Sequence, residues 1–249
     1  MVINRGGIAA TSNALASQSA VQILALGGSA VDAAIAANAV LGVVEPMMNG
    51  IGGDLFAMYW EAKTGKLTGL NASGPAPKAL SRQHVASKGV ATMGDAGIHA
   101  VTVPGAVDGW AKMHARFGKI DWSHLFRAAI AYANEGFPVP EIAQELWSAP
   151  STILKLEAHE ESRRVFLPKH RAPEHGEVFR NPDLAASYAS IALDGADAFY
   201  RSEIAASIVE ASDALGGTMT ADDLASFSAE WTRHGRAGNA QHYGMHAGR

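Results

Sequence analysis

Gly50-Ile51-Gly52-Gly53-Asp54 is the first stretch whose residue types could do chemistry, because a glycine-dense turn can close its backbone N–H groups on a phosphate. The spacing is not GxGxxG, the turn opens a strand rather than a helix, and no Walker lysine accompanies it. Close packing of backbone against a substrate or a neighbouring strand suits it better. A serine nucleophile would need G-x-S-x-G between strand and helix. Ser29 has Gly27 before it but Val31 after it, and Ser73 lies between Ala72 and Gly74, so neither fits. His159-Glu160-Glu161-Ser162-Arg163 ends in Arg where a zincin helix needs His. His170 and His175 straddle Pro173, so they read as loop histidines and not as ligands on one helical turn. A glycosidase would need two carboxylates at a set separation, which sequence spacing does not reveal. These motifs contain no complete active site. Simple structural roles account for the rest. Asp54 orders the glycine turn, Asn71 and Ser73 end a strand through side-chain to backbone hydrogen bonds, Asp32 starts a helix, and Trp60 and Trp110 are packing anchors.

The elements that must position these residues follow from periodicity. Ala14, Val21, Leu24 and Ala25 can share one helical face, ended by Gly27-Gly28. Ser29 and Asp32 open a second helix, AVDAAIAANAVLGVV, which is apolar nearly all round and should be buried before Pro46 stops it. LFAMYWEA suits a strand buried on both faces, Lys63-Thr64-Gly65-Lys66 turns, and LTGLNAS returns as its partner. Residues 81 to 99 read as mixed surface, and Ala100 to Gly105 as a short strand and turn. Helices are expected over Ala106–Arg116, Trp122–Asn134, Asn181–Ile191 and Ser202–Leu215, with a Thr220/Asp223 cap before ADDLASF. Glu157 to Glu177 reads as an exposed polar excursion.

Composition narrows the function classes. The 249 residues carry Lys+Arg 20 against Asp+Glu 24, a net charge of −4, so no basic excess points to nucleic acid. Cys is 0, which excludes disulfides, thiolate metal sites and a Cys nucleophile. No run approaches the roughly 20 apolar residues of a membrane span, and MVINRGGIAATSNALA lacks the apolar stretch of a secretory signal. A soluble, cytoplasmic chain is expected.

Taken in order, GGSAVDAAIAANAVLGVVEP, NGIGGDLFAMYW, Val103-Pro104-Gly105-Ala106-Val107-Asp108-Gly109-Trp110, Gly136-Phe137, NPDLA, ALDGADAFYRSEIA and GGTMTADDL resemble the large subunit of the gamma-glutamyltransferase (gamma-glutamyltranspeptidase, glutathione hydrolase) family. The resemblance runs from about Gly7 to Trp231. It implies an α+β fold, the αββα sandwich of N-terminal nucleophile hydrolases, with the sheet incomplete without a small subunit cut from the same precursor. It also implies a Thr nucleophile at the small subunit's new N-terminus, its α-amine acting as base, and a glycine pair as oxyanion hole. A small gamma-glutamyl or related amide substrate is implied, and no cofactor or metal.

Two departures set further expectations. No catalytic residue is assigned on this chain, because Thr218, Thr220 and Thr232 lack the surroundings of the family's cleavage motif. LNASGPAPKA aligns with the segment in which the transferases place a carboxylate-binding Arg, and it puts Ser73 there; Ser73 and Asn71 are the substrate-binding candidates, with Arg82 read as surface. Alternatively the chain is a non-catalytic fragment or pseudo-enzyme that binds a partner chain. Residues 1–231 are read as one domain. From Thr232 to Arg249 there are three Arg, three His, four Gly and no acid, which reads as a disordered, non-native tail unable to form the expected strand. An uncovered sheet would make the chain self-associate.

Overall fold

The computed structural model describes residues 3–94 and 96–233. Helix α1 (Ala14–Ala25) begins on Asn13, whose side chain accepts the Leu15 N–H. It buries Ala16, Ser19, Ala20 and Ile23, while Val21 is exposed. The packed stripe is thus the one with small residues, not the larger one through Val21 expected from sequence. Small side chains let α1 approach α2 (Ala30–Val44) closely. Helix α2 is buried around most of its circumference, as its all-round apolar pattern predicts. Its capping box is reciprocal: Ser29 Oγ accepts the Asp32 N–H at 3.1 Å, and Asp32 Oδ2 accepts the Ser29 N–H at 2.7 Å.

Strands β1 (Leu55–Glu61) and β2 (Lys66–Ala72) pair antiparallel from Leu55↔Ala72 to Glu61↔Lys66. Gly65, at φ 64°, closes the turn by donating to Glu61 O at 2.9 Å. Among the described residues only one face of β1 is covered. Leu55, Ala57 and Tyr59 turn toward the helices, whereas Phe56, Met58 and Trp60 are 70%, 74% and 58% exposed. The expectation of burial on both faces is therefore corrected, and Trp60 is no packing anchor among the described residues. An unbroken apolar run cannot by itself say which of its faces has a neighbour.

Helix α3 (Arg82–Ser87) lies on the surface, and α4 (Ala106–Phe117) packs across β1 and β2. The strand expected at 100–105 is absent: a 3-10 turn occupies Ile98–Ala100, and Val103 donates instead to Pro75 O at 2.9 Å. A second 3-10 turn, Trp122–Phe126, runs into α5 (Arg127–Glu135), which ends at Gly136 with φ 100°. Strand β3 (Phe137–Pro138), α6 (Glu141–Ser148), α7 (Pro150–Glu157), α8 (Glu160–Phe166) and β4 (Val178–Phe179) follow, with β3 and β4 paired. Residues 157–177 are thus more ordered than a polar excursion. Leu167 and Ala172 are buried, and Trp147 Nε1 donates to Phe166 O at 3.1 Å.

Glu177 clamps that segment. It accepts the Glu174 N–H at 2.9 Å and pairs with Lys169 at 2.5 Å and Arg171 at 2.9 Å. These contacts, the Glu174 N–H first, hold its carboxyl down to about 2. Because the folded value lies below the usual value of about 4.3, the clamp contributes fully above that pH and is lost as pH falls toward 2. A carboxyl-carbon NMR titration should place the Glu177 midpoint near 2. A midpoint at the ordinary glutamate value would mean the clamp is open in solution.

Helices α9 (Pro182–Asp194), α10 (Asp197–Tyr200), α11 (Glu203–Ala214) and α12 (Ala221–Ala225) lead to β5 (Glu230–Arg233). β5 pairs antiparallel with β2, giving the sheet order β1-β2-β5. Thr232 and Arg233 therefore belong to a strand, two residues beyond the boundary expected at 231. Residues 234–249 of the expected tail lie outside the described residues. The core sits where α2 meets α4, α5 and α9. There the fully buried Tyr188 donates to Ala39 O at 2.9 Å, and burial pushes its phenol pKa upward.

Candidate functional site

The hairpin register puts Asp54 and Ser73 just beyond the Leu55↔Ala72 pair, so the glycine turn entering β1 faces the chain leaving β2. Asp54 bridges that gap: its Oδ2 accepts from Ser73 Oγ and its Oδ1 from the Gly74 N–H, both at 3.1 Å. Asn71 Oδ1 accepts the Ser73 N–H at 2.9 Å, the strand-ending bond expected of it. Asp54 thus ties down the Ser73 segment; the glycine turn is closed by its own backbone, with Gly53 N–H donating to Gly50 O at 3.1 Å. Asn71 and Asp54 are exposed and Ser73 is half-buried, so all three border solvent at one end of the sheet.

The third wall is the start of α4. Gly53 O accepts the N–H groups of Gly105 and Ala106, each at 3.0 Å, which satisfies the first donors of that helix internally. Two backbones pass here almost in contact. A Cβ on Gly74 would overlap the Val103 carbonyl oxygen, and one on Gly105 would overlap the Ala72 carbonyl oxygen. Gly50 and Gly52, by contrast, have open space where a Cβ would go. The close packing expected of the glycine turn is therefore found on its neighbours.

Tyr200 and Asp108 complete the support. Tyr200 Oη donates to Pro104 O at 2.8 Å and accepts the Asp108 N–H at 3.2 Å; burial raises its phenol pKa. Asp108 Oδ2 accepts the Ala229 N–H at 2.7 Å, so the start of α4 also fixes the entry to β5. Neither residue was singled out from sequence, and only the segment joining α9 to α11 in three dimensions makes Tyr200 a neighbour of Pro104.

Other candidates stay apart. Arg82 makes no hydrogen bond or ion pair with Asp54, Asn71 or Ser73, in keeping with a surface Arg. His170 and His175 join no group of three metal-ligating side chains among the described residues. A groove of about 450 Å³ lies along the edge of β1 that has no strand partner among the described residues, lined by Ala34, Ile35 and Asn38 of α2, Phe56, Met58 and Trp110. Trp110 Nε1 donates to Asn38 Oδ1 at 2.9 Å on its floor, which makes Trp110, 3% exposed, the anchor expected of it. Among the described residues no helix is long and apolar enough to cross a membrane.

Helices on one side of an antiparallel sheet, with the other side uncovered among the described residues, form part of the αββα sandwich of the N-terminal nucleophile hydrolases, the large-subunit side. The profile of the gamma-glutamyltranspeptidase family matches residues 16–245, and the chain belongs to that family. It is 36% identical over 218 residues to the glutathione hydrolase-like YwrD proenzyme of Bacillus subtilis, covering 87% of this chain and 41% of that relative. Gamma-glutamyltranspeptidase from Helicobacter pylori superposes with a TM-score of 0.86 at 30% identity, over 93% of this chain and 66% of that one. Cephalosporin acylase from Bacillus halodurans superposes with a TM-score of 0.85 at 38% identity, over 93% and 45%. The chain thus spans about two fifths of the length of that Bacillus subtilis relative.

Proposed function

We propose that this chain is the large-subunit portion of a gamma-glutamyltransferase-like hydrolase, inactive alone, whose Thr nucleophile arrives on a small subunit of the same precursor. The observation that carries this reading is the half-finished sheet: among the described residues β1 has a free edge above an apolar groove, and Phe56, Met58 and Trp60 project from its uncovered face. Such a face is costly in water and suits a second sheet. The Asp54–Ser73 rim lies at the end of that edge, next to the open space over Gly50 and Gly52. An incoming strand that begins with Thr would bring its hydroxyl and α-amine there, and the amine would take the hydroxyl proton.

Ser73 and Asn71 are assigned to the acyl side of the substrate. A Ser cannot grip an α-carboxylate with the charged fork of Arg, so related amides fit as well as gamma-glutamyl groups. The likeness to a cephalosporin acylase favours that wider amide class.

The test is complementation. The purified chain should release no product from a chromogenic gamma-glutamyl anilide, and co-assembly with a Thr-initiated small subunit of a relative should restore turnover. Ser73→Arg in that complex should then favour substrates with a free α-carboxylate, since losing one Arg–carboxylate partner costs about 2–5 kcal/mol. Turnover by the chain alone, abolished by changing one of its own residues, would overturn the assignment. A stable complex with no turnover on any amide would favour the non-catalytic, partner-binding reading.

A further inference from the structure

A second groove, also of about 450 Å³, lies where the start of α1 meets the start of α6, with no residue of β1, β2 or β5 in its lining. One wall carries Ser12, Asn13, Leu15 and Glu45. Ser12 Oγ donates to Glu45 Oε2 at 2.7 Å, which holds the Glu45 carboxylate next to Asn13 and leaves Oε1 without a donor. The second wall carries Glu141, Ile142 and His175, drawn together because the Gly176 N–H donates to Val139 O at 2.9 Å. Neither carboxylate has a cationic partner among the described residues, and no Lys or Arg lines the groove.

Asn13 is the residue that points to a ligand. It is 6% exposed, and its Oδ1 caps α1 by accepting the Leu15 N–H at 3.0 Å. The cap fixes which end of the amide is which, so Nδ2 is the remaining donor. Nδ2 has no acceptor among the described residues, yet it is not sealed in the core. The little surface that Asn13 keeps therefore belongs to the groove it lines. A donor so nearly buried ordinarily has a partner.

We propose that this groove binds a small α-amino amide in its cationic form. The ammonium sits between Glu45 Oε1 and the Glu141 carboxylate, and the amide carbonyl accepts from Asn13 Nδ2. The ligand's apolar side chain lies on Leu15 and on Ile142, which is 70% exposed. Simpler ligands answer fewer of these groups. An anion at the two helix starts would face both carboxylates, and α1 is already capped. A metal ion is disfavoured, since no group of three His, Asp or Glu able to hold one occurs among the described residues. A plain alkylamine would leave Asn13 Nδ2 unanswered. The site uses residues of this chain alone, so it stands whether or not the small-subunit reading does.

The test is titration of the full ¹⁵N-labelled chain with three probes: L-leucinamide, its neutral N-acetyl amide, and the anion N-acetyl-L-leucine. Leucinamide should shift the Asn13 side-chain NH₂ and the Glu141 and Ile142 amides together, saturating in the millimolar range. The neutral amide should bind about tenfold more weakly or worse, and the anion should cause no saturable shift. Glu45→Gln and Glu141→Gln should each weaken leucinamide binding by about fivefold. Asn13→Ser keeps a capping oxygen but loses the amide donor, and should cost about as much. Equal binding of leucinamide and its N-acetyl form, or shifts confined to other residues, would overturn the proposal. So would the absence of saturation by about 50 mM. The wild-type series decides the matter even if a variant fails to fold.

Discussion

Asp32→Ala is expected to lower stability by about 3–5 kcal/mol, read as a lower urea midpoint at unchanged slope. The residue is 0% exposed, yet its carboxylate serves three backbone donors. Oδ2 accepts from Ser29 N at 2.7 Å, Lys119 N at 2.9 Å and Ile120 N at 3.3 Å. Alanine would keep the helix, since its intrinsic propensity is better than that of Asp. What is lost is half a capping box, worth about 1 kcal/mol, the negative charge at the α2 N-terminus, and the acceptor for two N–H groups after α4. Those two N–H groups sit in part-buried bonds that water can partly replace, so each costs toward the low end of about 1–3 kcal/mol. His114 does not replace the acceptor: its Nε2 is engaged with Ile120 O at 2.7 Å and lies 3.8 Å from Asp32 Oδ1. Asp32→Asn keeps one acceptor oxygen and should lose less than half as much. A loss below 1 kcal/mol for the Ala variant would mean that α2 and the 118–120 loop hold together without this carboxylate.

Asp32 also marks what sequence can and cannot disclose. Its cap on Ser29 is legible, because spacing of three residues before an apolar run has one simple meaning. Its bonds to Lys119 and Ile120 join segments far apart in the chain, and nothing local announces them. The same division holds elsewhere. The Leu55–Ala72 hairpin, the buried helix Ala30–Val44 and the Thr220/Asp223 cap were readable from short-range pattern. The open face of β1 was not, since an apolar run looks alike whether a second layer is present or absent. Ala100–Gly105 has β-branched residues but finds no strand partner, and its backbone bonds go to Pro75 and Gly53 instead. At the candidate site, Asn71 and Ser73 were named through the resemblance, and Asp54 through its glycine-rich neighbours. That Asp54 reaches across to Ser73 and Gly74 is a consequence of register.

Gly74→Ala and Gly105→Ala are expected to be among the most damaging small substitutions in the chain, each costing about 3 kcal/mol or more. Neither glycine has a positive φ, so the cost is one of space and not of backbone conformation. A Cβ at Gly74 would overlap the Val103 carbonyl, and one at Gly105 the Ala72 carbonyl. Both obstacles are backbone, which cannot rotate aside as a side chain can. Relief would require separating residues 72–75 from 103–105, breaking the Val103 N–H to Pro75 O bond and the pair from Gly105 and Ala106 to Gly53 O. The Asp54 bridge would go with them, so the damage should spread to the Ser73 rim. Gly109→Ala is the graded comparison, because its Cβ would first meet the Leu55 side chain at 2.5 Å and the Ala72 methyl at 2.9 Å, where some adjustment is available. Gly52→Ala is the control: nothing lies within 4 Å of its Cβ, and its stability should stay within about 0.5 kcal/mol of the parent. Chemical unfolding of the four variants, with amide hydrogen exchange at Ser73 and Gly74, gives the order. If Gly52→Ala proves as harmful as Gly74→Ala, the glycine turn is packed in solution, and the space assigned to substrate is not there.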